Sequence, residues 1–275
     1  MATLMVGCFF APSLKDFESV PLQTPRHRYS IAHRGSIHHG LPENSLPALN
    51  EAILSGVQFL EVDVRQAADG TLYLFHDGSL QKGNFYSPQS LKGRKMYDLA
   101  SYERESVRLD PAGTTPIPTL TEALDLIGKS PTATLQLDLK GESDELLQAV
   151  INLLKREHKI SRAIIQLKDP TRIERTRAAE PTTRILARCK NVQELDRAIA
   201  ARVEFIELER WITGEAVAKC HDAKIAVVFN VSAPPYDNHE TWQFFRARGV
   251  DSLMTDHAVL ANEAEPLQQE RSSPE

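Results

Sequence analysis

Charged residues spaced two apart within apolar runs are the first feature of this sequence that points to chemistry. Glu61 and Asp63 flank one apolar residue, and Asp138 and Lys140 do the same farther along the chain. If these runs are strands, residues i and i+2 project from the same face. Two carboxylates side by side on a buried strand are costly unless a cation neutralises them. The pattern therefore predicts a site for a hard divalent cation, Mg²⁺ or Ca²⁺, which prefers carboxylate oxygens.

Two histidines, His33 and His76, end β-rich runs in the same part of the sequence. Histidine is the usual side chain for donating and accepting protons near neutral pH. Cleavage of a phosphodiester needs a base for the attacking hydroxyl and an acid for the leaving alcohol. Arg34, Lys140 and a bound cation would balance the negative charge that develops on the phosphoryl oxygens.

The elements that must position these residues alternate between β-rich runs and helical patterns from Tyr29 onward. Several runs are continuously apolar, as strands buried on both faces are. Two of the helical patterns begin with capping signals, Thr119 with Glu122 and Asn191 with Glu194. The predicted strands are Ile31–His33, Val57–Val64, Thr71–His76, Ala133–Leu139, Ala163–Leu167, Thr183–Arg188, Glu204–Leu208, Lys224–Asn230 and Ser252–Thr255.

This alternation favours an α/β fold, either an eight-stranded (β/α)8 barrel or an open doubly wound sheet. No glycine-rich dinucleotide turn follows the first strand, which favours the barrel. Nine strands are predicted for eight barrel positions, and the Asp69-Gly70 turn joins two of them as a hairpin. One strand of that hairpin is expected to be extra to the barrel, and the sequence alone leaves open which one.

Domain boundaries follow from where the alternation begins, breaks and ends. We expect one barrel domain over residues 29–262, a poorly ordered leader over 1–28 and a disordered tail over 263–275. The segment 78–118 is rich in glycine and proline, and we interpret it as an insertion over the mouth of the barrel, where substrate-selecting loops sit.

Composition limits the classes of partner. The 275 residues hold 32 basic and 37 acidic side chains, a net charge of −5 that argues against a nucleic-acid partner. Cys8, Cys189 and Cys220 argue against a disulfide framework or a cysteine zinc site. No apolar run is long enough to cross a bilayer, so no stable membrane insertion is expected. We expect a cytoplasmic protein, with export or lipid anchoring as the alternative if the natural start lies upstream of Met1.

The order of these motifs resembles that of the glycerophosphodiester phosphodiesterases. The resemblance spans roughly Ile31 to Ala261, and it is specific because many short motifs occur in one order. The matching motifs are His33-Arg34-Gly35, Pro42-Glu43-Asn44, Glu61-x-Asp63-Val64, Asp69-Gly70, His76-Asp77, Pro118-x-Leu120-x-Glu122, Asp138-x-Lys140, Asn230 and Gly249-Val250-Asp251-x4-Asp256.

The resemblance implies a TIM barrel whose site lies at the C-terminal ends of the strands. It also implies metal-dependent hydrolysis of small glycerophosphodiesters to glycerol 3-phosphate and an alcohol, with the substrate's glycerol hydroxyl or water as the attacking group. The implied roles are acid/base catalysis for His33 and His76, binding of one divalent cation for Glu61, Asp63 and Asp138, and phosphate or substrate binding for Arg34, Lys140 and Glu43.

Three departures from the family pattern bear on the site. Ser45 replaces the usual threonine and keeps its hydroxyl, whereas Asp138 replaces a common glutamate and shortens its reach by one methylene. The late strand ends in Val228-Phe229-Asn230 and lacks the tryptophan often found there, which leaves the accepted alcohol undetermined.

Two other functions use the same residues. A phospholipase D or sphingomyelinase D-like lipid phosphodiesterase or lyase would share the histidines and the carboxylates, but would need an exposed apolar rim. Aromatic residues of the insertion, Phe85, Tyr86, Tyr97 and Tyr102, together with Met96, are candidates for that rim. A non-catalytic phosphate-binding barrel is less favoured, because this chain has lost none of the family's histidines or carboxylates.

Overall fold

A computed structural model describes residues 29–35, 40–81, 83–141, 143–209, 212–232 and 235–263. The predicted leader 1–28 and nearly all of the predicted tail lie outside the described residues.

Eight parallel strands close into a barrel, because the first strand pairs with both the second and the last. Helices connect the strands on the outside, so the predicted TIM barrel is confirmed. The barrel strands are β1 (Tyr29–Ala32), β2 (Phe59–Gln66), β4 (Thr134–Leu139), β5 (Ala163–Leu167), β6 (Arg184–Cys189), β7 (Phe205–Leu208), β8 (Ala226–Asn230) and β9 (Ser252–Thr255).

The extra strand of the hairpin is β3 (Leu72–Leu74), which settles which hairpin strand lies outside the barrel. It runs antiparallel along β2, with Val64 opposite Leu74, and pairs with no other strand among the described residues. Gly70 turns the chain between the two strands with φ +86°, a conformation that suits glycine. The predicted Asp69-Gly70 hairpin is therefore confirmed.

Local capping signals set several helix starts. Thr119 and Glu122 form the predicted capping box, and Asn191 accepts the backbone N–H of Glu194.

No described helix is both long and apolar enough to cross a membrane. The α-helices are α1 (Leu46–Leu54), α2 (Ser101–Arg104), α3 (Leu120–Gly128), α4 (Asp144–Arg156), α5 (Ile173–Ala179), α6 (Val192–Ala200), α7 (Gly214–Asp222), α8 (His239–Arg246) and α9 (Ala258–Glu263).

The barrel interior changes from apolar to polar along the strands. An apolar cluster that includes Ile31, Ile164, Phe205 and Met254 fills the N-terminal part of the interior, with Phe59 packed against it. Side chains two and four residues beyond Phe59 along β2 point to the same interior, and both are carboxylates. The fold thus supports an acidic centre on an apolar floor near the carboxyl ends of the strands.

The predicted insertion follows β3 and has its own small core. Tyr73 and Phe75 from the hairpin pack with Leu80, Met96 and Leu99 of the insertion, separately from the main core. This packing joins the insertion to the hairpin. Met96 is fully buried in this core and Phe85 is half-buried, so they do not belong to an exposed rim.

Candidate functional site

The three predicted carboxylates meet inside the barrel. Asp63 on β2 is directly opposite Asp138 on the neighbouring strand β4, and Glu61 lies one inward-facing position deeper. All three side chains are buried, and one carboxylate oxygen of each lies within 4.8 Å of the others. The predicted gathering of these residues is confirmed, and such a set of hard oxygen donors could hold a divalent cation.

The protonation of this cluster is uneven. Burial, followed by the charge of Asp63, raises the pKa of Glu61 to about 8. Burial also disfavours the Asp63 carboxylate, but Lys140, Arg34 and Asn44 together lower its pKa. The cluster therefore carries one carboxyl group for which the protein supplies too little positive charge.

Two lysines take up part of the acidic charge. The ammonium group of Lys140 lies 2.7 Å from Asp63 Oδ1 and 2.6 Å from Asp138 Oδ2. Lys168, at the end of β5, lies 2.8 Å from Asp138 Oδ1. That oxygen is buried and accepts no aligned hydrogen bond among the described residues, so it remains a suitable ligand atom for a cation.

Arg34 connects the loop after β1 to the acidic cluster. Its backbone is left-handed, with φ 52°, and its N–H donates to Glu61 Oε2 at 2.9 Å. Its guanidinium donates to Glu43 at 2.7 Å, and its Nε lies 3.4 Å from Asp63 without an aligned acceptor. Arg34 thus combines an ion pair with Glu43 and a buried N–H that can still donate to an anion.

His33 is held from the opposite end of the sequence. Its Nδ1 lies 2.6 Å from Asp256 Oδ1, just beyond β9, and β9 is the strand beside β1. Burial by itself would lower the pKa of His33, but the hydrogen bond to Asp256 and the charge of Glu61 raise it. The arrangement orients the ring and stabilises its protonated form.

His76 follows β3 and is more exposed than His33. Its Nδ1 pairs with Asp77 at 2.8 Å, and its side chain is 36% exposed. Arg65 of β2 donates to the carbonyl groups of His76 and Lys140, at 2.5 and 3.2 Å. No hydrogen bond joins the His76 ring to the carboxylate cluster among the described residues, whereas Arg34, Glu43, Lys140 and the cluster form one contact network.

Asn44 and Ser45 show what the residues after Pro42-Glu43 do in this fold. The buried Asn44 donates to Asp63 Oδ2 at 2.7 Å and accepts the backbone N–H of Asp63 at 2.9 Å. Ser45 caps α1 by accepting the N–H of Ala48 at 3.2 Å. The hydroxyl retained at Ser45 therefore serves the helix, whereas Asn44 orients the cluster.

Sequence reasoning missed Lys168 and assigned no role to Asn44 or Asp256. The spacing of Lys168 could have indicated its place at the site. It stands two residues after Gln166, just as Lys140 stands two residues after Asp138. Asp256 had no such signal beyond its place in a motif, because its contact with His33 spans 223 sequence positions. His38 and His39, in the loop between β1 and α1, lie outside the described residues.

Comparison with known proteins places this geometry in a family context. The model of the Glycerophosphoryl diester phosphodiesterase family matches residues 33–260, which includes every site residue described above. Glycerophosphodiester phosphodiesterase 1 of Mus musculus is 32% identical over 149 residues, which cover 50% of this chain and 43% of the mouse protein. This match thus spans less than half of the relative's length.

Solved structures share the fold at lower identity. A glycerophosphoryl diester phosphodiesterase from Parabacteroides distasonis has a TM-score of 0.73 at 22% identity, covering 90% of this chain and 93% of its own. An Oleispira antarctica phosphodiesterase, solved with the product sn-glycerol-3-phosphate, has a TM-score of 0.72 at 19% identity, covering 86% and 96%.

Proposed function

Since the chain belongs to the glycerophosphoryl diester phosphodiesterase family, we propose that it hydrolyses glycerophosphodiesters to glycerol 3-phosphate and an alcohol. One observation carries the proposal. Glu61, Asp63 and Asp138 lie within 4.8 Å of one another and are linked to Arg34 and Lys140 by direct contacts. A centre of this kind offers oxygen ligands for a cation beside fixed positive groups for a phosphate.

The carboxylate cluster is the proposed site of one divalent cation, Mg²⁺ or Ca²⁺. Two observations support this. Burial and the charge of Asp63 disfavour the Glu61 carboxylate, so a cation would stabilise it. Asp138 Oδ1, which Lys168 approaches, is a buried oxygen that accepts no aligned hydrogen bond among the described residues. A cation bound there would neutralise charge on the phosphoryl oxygens.

Substrate binding is assigned to Arg34, Lys140 and Glu43. The buried Nε of Arg34 points to no aligned acceptor among the described residues, and Lys140 retains donor capacity beside the cluster. Glu43 fixes the other edge of the Arg34 guanidinium, which sets the plane that would face a phosphate oxygen. The sn-glycerol-3-phosphate in the Oleispira antarctica structure supports a substrate of this class.

His33 and His76 are the proposed acid/base pair. One takes a proton from the attacking hydroxyl while the other gives a proton to the alcohol oxygen as its bond to phosphorus breaks. Asp256 and Asp77 each hold Nδ1 of one ring, so the Nε2 atom is the nitrogen left for proton transfer.

The decisive experiment measures glycerol 3-phosphate released from glycerophosphocholine and glycerophosphoethanolamine, with Mg²⁺, with Ca²⁺ and with chelator. We expect cation-dependent release that falls by roughly a hundredfold or more in His33→Ala, the loss typical of a missing acid/base group. Release that persists in a folded His33→Ala protein would refute the mechanism, and no release with either cation would refute the substrate class.

Cleavage of whole lipids is a second candidate function because the insertion exposes three aromatic side chains. Tyr86, Tyr97 and Tyr102 are 46%, 59% and 74% exposed, although Met96 and Phe85 do not join them. The test compares lysophospholipids in vesicles with their deacylated counterparts. Faster turnover of the lysophospholipid would favour this candidate, and turnover of the deacylated compound alone would remove it.

Placement in a reducing compartment, with residues 29–262 as one domain, is part of the proposal. Cys220 supports the reducing compartment, since it is a buried free thiol.

A further inference from the structure

Lys168 is a third positively charged side chain at the site, beside Arg34 and Lys140. Gln166, two residues earlier on β5, is buried in the barrel interior, and Asp138 is its partner in the parallel register. Lys168 therefore points into the same interior, beside Lys140 at the end of the neighbouring strand. The two lysines approach the same carboxylate, Asp138, from adjacent strands.

The two ammonium groups are held differently. Lys140 contacts two carboxylates, whereas the one carboxylate that Lys168 contacts in the described part of the chain is Asp138. The Lys168 contact is an ion pair without an aligned hydrogen bond on the Asp138 oxygen. Lys168 is also more exposed, at 27% of its side chain against 15% for Lys140. Lys168 thus has the looser attachment and the better access to the mouth.

A divalent cation at the cluster would compete with Lys168 for the Asp138 carboxylate, because it would draw on the same oxygen, Oδ1, and would repel the nearby ammonium group. An ammonium displaced by that competition needs another anion, and the nearest anion in a working site is the phosphoryl group.

We propose that Lys168 is a phosphate-binding residue that Asp138 holds in the cation-free protein and that turns to the phosphoryl group when a divalent cation occupies the cluster. The proposal rests on the proposed function for the identity of its ligand. It makes cation and phosphate binding mutually reinforcing, because the cation releases Lys168 from Asp138 and the phosphate draws the ammonium group away from the cation.

Calorimetric titration of purified protein tests this with Mg²⁺ alone and with inorganic phosphate added in saturating Mg²⁺. Lys168→Met is the variant, Lys168→Gln repeats it with a polar side chain, and Lys190→Met is the matched control. Lys190 is exposed just beyond β6, the next strand of the barrel, so its removal changes the net charge equally at the same end.

We expect both Lys168 variants to bind phosphate about tenfold more weakly, the loss of one hydrogen bond to a charged group. We also expect tighter Mg²⁺ binding without phosphate, because a competing ammonium is gone. Lys190→Met should leave both affinities within about twofold of the wild type, as expected of an exposed charge. Unchanged phosphate or Mg²⁺ affinity in the Lys168 variants, equal losses in Lys190→Met, or a wild type that binds no phosphate overturns the proposal.

An assay of glycerophosphodiester turnover in the same samples separates this inference from the proposed function. If the wild type turns over substrate but the Lys168 variants bind phosphate as tightly as the wild type, the inference is wrong and the proposed function stands. Phosphate binding that depends on Lys168, without any turnover, supports the inference and removes the proposed function.

Discussion

Asn44 forms hydrogen bonds to Asp63 with both the N–H and the oxygen of its side-chain amide. The amide N–H donates to the Asp63 carboxylate at 2.7 Å, and the amide oxygen accepts the Asp63 backbone N–H at 2.9 Å. Asn44 is fully buried and its φ of 57° is left-handed, a conformation that asparagine tolerates better than most residues. The loop before α1 thereby fixes a carboxylate on β2.

Replacing Asn44 by glycine removes both hydrogen bonds while keeping the left-handed backbone conformation accessible. We expect the free energy of unfolding to fall by about 2–4 kcal/mol, because two buried groups of Asp63 lose their partners. Mg²⁺ affinity should fall as well, since the carboxylate is no longer oriented. Denaturant unfolding and calorimetric titration measure the two effects.

Ser45→Ala is the control for Asn44→Gly. It removes the cap of α1 and should cost about 1 kcal/mol, with Mg²⁺ affinity unchanged. If Asn44→Gly lost stability but bound Mg²⁺ as tightly as Ser45→Ala, Asn44 would support the fold and not the cluster.

The contact between His33 and Asp256 predicts how the pH profile depends on a distant residue. Burial disfavours the charged imidazole, but the hydrogen bond to Asp256 and the charges of Glu61 and Asp256 together outweigh it, so Asp256→Asn should lower the pKa of His33. The limb of the kcat/KM profile that reports His33 should shift to lower pH. Histidine-selective NMR titration would follow the ring directly.

Asp77→Asn provides the comparison, because Asp77 pairs with His76 instead. It should leave the His33 titration in place while reducing turnover. An Asp256→Asn protein whose His33 titrates like the wild type would show that the hydrogen bond does not set this pKa.

The raised pKa of Glu61 predicts a pH dependence for stability without metal. Burial and Asp63 raise the pKa of Glu61 to about 8, from an ordinary value of 4.5. Between these values the folded protein binds the proton more tightly than the unfolded chain, so this contribution to stability declines as pH rises from about 4.5 to about 8. Thermal unfolding in chelator should show the decline, and Mg²⁺ should stabilise the protein more at pH 8 than at pH 5.

Glu61→Gln should flatten this part of the stability profile, because a neutral amide has no proton to lose. Glu145→Gln, at an exposed position at the start of α4, is the matched substitution and should keep the wild-type slope. Identical slopes for Glu61→Gln and the wild type would mean that Glu61 is not the group responsible.

The close packing of Gly83 against Asp77 predicts that the insertion helps to position His76. A Cβ atom on Gly83 would lie 2.8 Å from Asp77 Oδ2 and would overlap the ring of Phe85. Gly83→Ala should therefore displace Phe85 and Asp77 and, through Asp77, His76. We expect kcat to fall by roughly tenfold, since partial misplacement of an acid/base group costs part of its contribution.

Gly128→Ala is the control, because its added Cβ would meet chiefly the flexible end of Lys159. Gly128 ends α3, which leads to the N-terminal end of β4, opposite the end of the strand that carries Asp138. It should leave kcat unchanged. Equal kcat values for Gly83→Ala and the wild type would show that the insertion does not position His76.

Features that depend only on neighbouring residues could be predicted from the amino-acid sequence. The Thr119 capping box, the Asp69-Gly70 turn and the shared direction of Glu61 and Asp63 follow from local hydrogen bonding and from the period of a strand. Alternating strands and helices of this length have few ways to bury their apolar faces, so the barrel was predictable as well. The motif order added the proposed roles of the histidines and of Asp138.

Which strands and loops become neighbours could be seen only in the folded barrel. That β3 lies outside the barrel depends on the closure of β1 against both β2 and β9, which no local pattern encodes. The same closure brings Asp256 to His33, and the pairing of β4 with β5 brings Lys168 to Asp138. These contacts join residues on different strands, and their distances depend on the register of the closed sheet, which is set by packing of the whole barrel.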